Sequence, residues 1–281
     1  HAAVARIFRR RRPSVVVVHE IKKQEEVRVG GKLGSIVSGV FFTLLLVILA
    51  IAAWKLVQLM RAVSLREWGS TFVAAMITLA RVLISTALGT LWALPAGLAI
   101  GLSPRLSRIF QPIVQVAASF PAPMLFPLVI AGLQVAGIPL TWGCIVLMLM
   151  GTQWYILFNV IAGAMAVPAD LREASRSYRF GTWQAFRTLY LPAVFPYLVT
   201  GWVTAAGGAW NASIVAEFVD VKDSILQAGG LGNQISAATK AEQFPLLAAS
   251  VLVMAVVVVV FNRTVWRQLY ELAERRYSLS K

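Results

Sequence analysis

Long uncharged runs are the feature that most limits what this chain can fold into. Residues 35–54, 82–104, 109–169, 188–216 and 243–262 contain no Asp, Glu, Lys or Arg. A helix needs about 20 apolar residues to cross a bilayer, and it satisfies its own backbone hydrogen bonds there. The longest run has room for two helices, with a turn predicted at 135–139. The sequence therefore predicts an all-α membrane protein with about six transmembrane helices.

Charge sets the predicted orientation. Only 14% of the residues are charged and 58% are hydrophobic, which excludes an ordinary soluble domain. Most of the 26 Lys and Arg residues fall on one side of the membrane if both termini are cytoplasmic, as the positive-inside rule requires. The net charge of +14 is therefore attributed to topology and to anionic lipid, and nucleic-acid binding is not predicted.

The predicted organisation has four parts. A basic cytoplasmic segment at 1–34 precedes a first transmembrane helix at 35–60, and a cytoplasmic tail at 266–281 follows a core domain at 71–265. Arg81 lies near the outer end of the second span, where we expect it to snorkel to the headgroups.

Motifs for catalysis are missing from the sequence. The glycines around Lys32 lack the spacing and the following Ser or Thr of a phosphate-binding Walker A loop. There is no HExxH or GxSxG, and the two histidines, His1 and His19, lie in the amino-terminal segment. We predict a protein that is not an enzyme, with no catalytic residue, no metal site and no bound cofactor of its own.

A polar segment separates the fourth and fifth predicted spans and carries its own helix signals. Asp170 with Glu173 has the form of an N-cap and its N3 carboxylate, which predicts a helix start. Gly181 is expected to end that helix in the left-handed conformation, and Thr182 to cap a second short helix. Pro192 is then expected to begin the fifth span.

The first of these short helices is amphipathic. Leu171, Ala174 and Tyr178 form an apolar stripe beside a cationic one made by Arg172, Arg176 and Arg179. This pattern favours docking into a groove of a cytosolic partner, with the arginines pairing with carboxylates. The alternative is an interfacial helix whose arginines contact lipid headgroups.

This segment resembles a known family. Glu173-Ala-Ser175, Trp183-Gln-Ala-Phe186 and Leu191-Pro-Ala-Val-Phe-Pro196 are similar to the EAA loop of permease subunits of binding-protein-dependent ABC importers. The resemblance implies the type I importer (MetI-like) permease fold and makes 167–192 the loop that couples to the ATPase. The coupling residues it implies are Asp170, Leu171, Arg172, Glu173, Ala174, Ser175, Tyr178, Arg179 and Gly181.

Two positions depart from the EAA pattern. The second Ala of the motif is occupied by Ser175, and the motif Gly by Arg179.

Two further stretches indicate a branch of the family. Residues 119–127 and 207–217 resemble the nitrate, sulfonate, taurine and bicarbonate branch, which implies a small anion as solute. The resemblance also implies a cytosolic ABC ATPase dimer that binds ATP and Mg²⁺, a second permease half, either the same or a sister chain, and an extracytoplasmic substrate-binding protein in a bacterial inner membrane. The outer segment 217–242, predicted as a mobile loop with a short helix, would contact that protein.

Small and polar residues within the spans predict packing and a candidate path. Small residues recur every four positions from Gly89 to Gly101 and from Gly201 to Ala209, so both helices should pack closely on others. Polar side chains at membrane depth are either interhelical hydrogen bonds or path contacts. They are Gln115, Ser119, Gln134, Gln153, Asn159, Thr204 and Asn211.

Two other functions remain open at the level of sequence. An ion-gradient-driven secondary transporter or channel usually needs ionisable residues buried in its spans, and these spans contain almost none. A membrane-embedded lipid enzyme would need a catalytic cluster at the interface, and none is visible.

Overall fold

The computed structural model describes residues 32–221 and 224–277 of the chain. The chain divides into two compact units, residues 1–55 and 56–281. Helix α1 (Lys32–Met60) covers the predicted first span. The predicted basic segment lies outside the described residues except for 32–34, and so does the end of the predicted tail, 278–281.

The remaining elements are almost entirely helical. They are α2 (Leu65–Leu102), α3 (Pro104–Ser119), α4 (Ala122–Val135), α5 (Leu140–Met165), α6 (Ala169–Ser177), α7 (Thr182–Ala185), a first π-helical segment (Phe186–Tyr190), α8 (Leu191–Ala216), β1 (Phe218–Val221), β2 (Ser224–Gln227), α9 (Leu231–Lys240), α10 (Phe244–Phe261), a second π-helical segment (Asn262–Trp266) and α11 (Arg267–Tyr277). Among the described residues five helical segments are long and apolar enough to cross a membrane, and a bent pair makes a sixth. This agrees with the predicted number of spans.

The third predicted span is broken. Helices α3 and α4 meet at an angle of 84° instead of forming one rod. The break lies at Phe120 and Pro121, both of which are extended. Proline disfavours the helical conformation of the residue before it and lacks a backbone N–H, so the helix ends at Ser119 and restarts after Pro121. The predicted turn at 135–139 is confirmed between α4 and α5.

The core is built around α5, which packs along both α2 and α8. A Cβ added to Gly97 of α2 would lie 2.6 Å from Val160 Cγ1 of α5, and one added to Gly101 would lie 2.7 Å from the Ile161 carbonyl oxygen. The same holds for Gly201 of α8, whose added Cβ would lie 3.1 Å from the Cα of a residue in α5. The predicted close packing through small residues is therefore confirmed for both helices.

The outer segment after α8 contains more structure than the sequence predicted. Strands β1 and β2 pair antiparallel, with Val219 opposite Leu226. The predicted short helix follows as α9, and it packs against α8 and α10. This hairpin and helix place residues 228–233 against Thr78 and Arg81 of α2 and against Glu217 at the end of α8.

Candidate functional site

Helix α6 occupies the predicted coupling segment but begins earlier than predicted. Pro168 is its N-cap, and Asp170 lies exposed in the first turn with no capping hydrogen bond. The prediction of Asp170 as the N-cap is therefore wrong. Proline fixes a φ suited to entry into a helix, so Pro168 starts the helix two residues before the carboxylate. Asp170 still complements the positive end of the helix dipole.

The carboxyl end of α6 corrects a second prediction. Arg179, at the position of the motif glycine, is the left-handed residue with φ of 53°, whereas Gly181 is extended with φ of −65°. The N–H of Phe180 donates to the Ser175 carbonyl (2.9 Å) and that of Arg179 to the Arg176 carbonyl (2.9 Å). This pair of bonds is the Schellman arrangement. The helix end that the motif glycine would form is thus kept, with an arginine in its place.

Replacing Arg179 by Gly is expected to stabilise this helix end by about 1 kcal/mol, because a side chain in the left-handed conformation carries a steric penalty that glycine avoids. Hydrogen exchange of the α6 amides in the detergent-solubilised protein should slow accordingly. Arg176→Gly, three residues earlier and inside the helix, is the matched control and should speed exchange. Faster exchange in Arg179→Gly would show that the guanidinium, not the backbone conformation, stabilises this turn.

The second short helix is continuous with the fifth span. Gly181 is the N-cap of α7 and Thr182 its first residue, with no side-chain capping bond, so the predicted Thr182 cap is wrong. The first π-helical segment then leads directly into α8, where Pro192 lies in the first turn.

One face of α6 presents apolar side chains to solvent. Leu171 is 39% exposed and Tyr178 is 78% exposed, although both are hydrophobic and belong to the predicted docking stripe. Ser175, one turn after Leu171, is buried and donates to the Arg172 carbonyl (2.8 Å). A small residue is therefore required at the second Ala of the motif. Ala174, the third residue of the stripe, is half-buried, and the neighbouring Glu173 is exposed.

The predicted path residues do not gather in one place. Gln115 and Ser119 are exposed on α3, and Gln134 is exposed near the end of α4. Asn159 of α5 lies beside α8, since a Cβ added to Gly201 would be 3.3 Å from the Asn159 Cβ. Gln153 is also on α5 and is half-buried.

Helix α8 carries a polar stripe that sequence reasoning found only in part. Thr200, Thr204, Gly207 and Asn211 recur at three- and four-residue spacing, and all are exposed. Thr204 donates to the Thr200 carbonyl (2.6 Å), which leaves its oxygen free to accept. The helical spacing of these residues was visible in the sequence, but Thr200 was not recognised because its run begins among apolar residues. Together with Asn159 of α5, which lies beside α8, this stripe forms a polar face along the fifth span.

Arg81 does not snorkel to the headgroups, so that prediction is wrong. Its side chain is buried, with the residue 6% exposed, and its Nη1 lies 2.8 Å from Glu217 Oε1. Arg81 also donates to the carbonyl oxygens of Ala228 and Gly229. A buried carboxylate at the end of α8 offers the guanidinium a shorter and drier contact than the distant headgroups.

Glu217 is the centre of this network and is fully buried. Thr78 donates to its carboxylate (2.9 Å), and so do the N–H groups of Gly232 (2.9 Å) and Asn233 (3.3 Å) in the first turn of α9. A carboxylate at a helix amino terminus is favoured by the free N–H groups and the helix dipole. Gly230, with φ of 154°, is needed here because a Cβ would collide with the carboxylate. The network therefore fastens the outer turn to α2 and α8.

Comparison with known proteins gives one family and several relatives. Residues 88–278 match the family described as binding-protein-dependent transport system inner membrane component. The chain is 25% identical over 142 residues to the nitrate import permease protein NrtB of Leptolyngbya laminosa, covering 50% of each chain. It is 26% identical to the glycine betaine/proline betaine transport system permease protein ProW of Escherichia coli, over 68% of this chain and 52% of that one.

A solved structure shares the fold. The inward-facing MetNI methionine ABC transporter has a chain that superposes with a TM-score of 0.61 and 20% identity, covering 76% of this chain and 100% of that one. The chain spans about half the length of the curated relatives named above. The similarity in structure confirms the predicted type I importer permease fold.

Proposed function

Since the chain belongs to the family of binding-protein-dependent transport system inner membrane components, we propose that it is one permease half of an ATP-driven importer for a small solute. Membership of this family also favours a non-catalytic membrane subunit over an enzyme. The observation that carries the proposal is the short helix α6 between two spans, whose Leu171 and Tyr178 are exposed and unsuited to water. Such a face is suited to a partner.

The proposed partner of α6 is a cytosolic ABC ATPase dimer. Tyr178 offers a large amphipathic anchor at one end of the exposed stripe, and Leu171 offers an apolar one at the other. Glu173 and Arg179 are exposed around these two anchors and supply charges that can fix the orientation of docking. ATP and Mg²⁺ would bind to the ATPase subunits and not to this chain.

The orientation proposed for the chain places both termini and α6 in the cytoplasm. The loops and ends assigned to that side hold most of the Lys and Arg residues, which is the distribution that membrane insertion favours. The hairpin and α9 then lie outside the cell. We propose that they receive the extracytoplasmic substrate-binding protein, because the buried network holds this segment as a firm surface.

The proposed path follows the polar stripe of α8 and Asn159 of α5. Lipid offers no hydrogen-bond partners to an exposed row of hydroxyl and amide groups. We therefore expect this face to contact a second permease half and to line the space between the two halves. The second half is either another copy or a sister chain. The nitrate permease relative supports a small anion such as nitrate, and the resemblance of 119–127 and 207–217 extends that class to bicarbonate, sulfonate and taurine. The ProW relative instead supports a betaine.

Co-purification with the ATPase tests the function. We expect an ATPase subunit, co-expressed with the permease, to be retained on the detergent-solubilised protein, and we expect Tyr178→Ala and Glu173→Ala to release it. Truncating a large anchor at the centre of an interface typically costs about 2 kcal/mol or more, a loss of about thirtyfold in affinity.

The control for this experiment lies on the same segment. Thr188→Ala removes an exposed hydroxyl that only donates to the Gln184 carbonyl (2.7 Å), and it should leave the ATPase bound. Equal thermal stability of all variants would show that the fold is retained. No ATPase in any sample despite its expression would contradict the importer proposal and favour an ion-driven transporter.

A further inference from the structure

A groove of about 400 Å³ lies beside the coupling segment. One wall is the cytoplasmic end of α2 as oriented above, and the other is formed by α6 and the first π-helical segment. Its residues are mostly apolar and include Ala99, Leu102, Phe180, Phe186, Tyr190 and Arg176. The groove is therefore a mostly apolar slot with an arginine among its lining residues.

The charge of Arg176 is available to a ligand. The side chain is exposed, and the ion pairs among the described residues do not include it. Thr182 lines the groove as well and adds a hydroxyl group, whereas the hydroxyl of Ser175 already donates to the Arg172 carbonyl. Guanidinium and hydroxyl donors together suit a phosphate, which accepts several charge-assisted hydrogen bonds.

The π-helical segment shapes the apolar wall. Phe186 and Tyr190 are four residues apart, and both line the groove. A π turn is rare and is frequently found at functional sites. Here the wide turn places two aromatic rings along the same slot, where they offer a surface for a hydrocarbon chain.

The surroundings of the groove match the headgroup level of a bilayer. Trp183 is 70% exposed next to the lining residues of α7, and Arg187 is exposed one turn further on. Exposed Trp, Tyr and Arg side chains gather at membrane interfaces. On α2, Pro95 and Ala99 are exposed, so the slot is open toward the side of the span.

We propose that this groove binds one anionic phospholipid of the cytoplasmic leaflet, with its phosphate on Arg176 and an acyl chain along Ala99, Leu102 and Phe186. Basic pockets between transmembrane helices on the cytoplasmic side are suited to such headgroups. The lipid would join α2 to α6 and so hold the coupling helix against the core. The leaflet rests on the orientation given under the proposed function.

Native mass spectrometry of the detergent-solubilised full chain tests the site directly. The chain is mixed with phosphatidylglycerol or with phosphatidylcholine of the same acyl chains. We expect one phosphatidylglycerol to be retained in preference to phosphatidylcholine. Arg176→Gln should weaken that retention about tenfold, the effect of losing one hydrogen-bonded charge. Ala99→Trp should weaken it without any change of charge, because the indole fills the slot.

The matched control is Arg108→Gln, which removes an exposed arginine of α3 outside the groove and should leave retention unchanged. Equal losses of lipid retention in Arg176→Gln and Arg108→Gln would mean that the lipid is attracted to basic surface in general, and would overturn the proposal. Equal retention of the two lipids, or no effect of Ala99→Trp, would overturn it too. Because no ATPase is present, this result is separate from the co-purification result, and either proposal can fail alone.

Discussion

Replacing Glu217 by Ala is expected to lower the free energy of unfolding by about 3–5 kcal/mol, the cost of leaving one partner of a buried ion pair without the other. Arg81 would stay buried with only carbonyl groups to bind, since the residue is 6% exposed. The first turn of α9 would also lose the acceptor for the N–H groups of Gly232 and Asn233. The outer turn should then detach from α2.

Thermal unfolding in detergent, followed by tryptophan fluorescence, measures this loss. Asp220→Ala is the matched control, because Asp220 forms an exposed pair with Lys240 and should change stability by less than about 1 kcal/mol. Glu217→Gln keeps an acceptor but not the charge and should fall between the two. The double replacement of Arg81 and Glu217 by Met should recover much of the loss, as no unpaired charge remains. A Glu217→Ala protein as stable as the Asp220→Ala control would contradict the role given to this network.

The transmembrane spans and the close packing of α2 and α8 through small residues were predictable, because few backbone conformations are stable in lipid. Without water, backbone groups must bond within a helix, so each uncharged run reads directly as a span. The small residues of α2 from Gly89 to Gly101 likewise predict a helix contact, because close approach of two helices needs small residues at four-residue spacing. Sequence indicated the existence of these contacts. It did not indicate that Val160 and Ile161 of α5 would make them.

The buried ion pair was not predictable from either residue alone. Arg81 and Glu217 are 136 positions apart, and nothing local to Arg81 distinguishes a partner on another helix from lipid headgroups. A signal existed in the position of Glu217, the first acid after an uncharged run and thus near the same membrane level as Arg81. The pair also weakens the sequence-based argument against an ion-driven transporter, because that argument relied on spans with almost no charged residues. Family membership, not the absence of charge, now supports the importer.

The caps of the coupling segment were misread because local preferences compete there. Asp170 and Gly181 each fit a cap position by residue type, yet the helix starts at Ala169 after Pro168 and its left-handed end lies at Arg179. Terminal boundaries are the least certain part of any helix assignment, since neighbouring residues can serve. The position of the motif glycine was the better guide to the bend. The expected residue type, glycine, was not a guide, because the two hydrogen bonds at the helix end outweigh the steric penalty of a left-handed arginine.

Replacing Gly101 by Val is expected to prevent α2 from packing on α5 in its present position. A Cβ at residue 101 would lie 2.6 Å from the Ala164 Cβ and 2.7 Å from the Ile161 carbonyl oxygen. Side chains can change rotamer, but a helix backbone cannot, so the two helices must separate. Overpacking typically costs about 1–3 kcal/mol and more where backbone must move.

The same substitution on the same helix provides the control. Gly69 is exposed near the start of α2, and no described atom lies within 4 Å of its added Cβ. Gly69→Val should therefore leave the yield of monodisperse protein and its unfolding temperature close to those of the unmodified chain, whereas Gly101→Val should lower both. Because α5 also packs on α8, the Gly101→Val change should carry through to the proposed ATPase co-purification, although residue 101 lies outside α6. Equal stability of the two variants would mean that α2 and α5 do not pack as closely as these distances require.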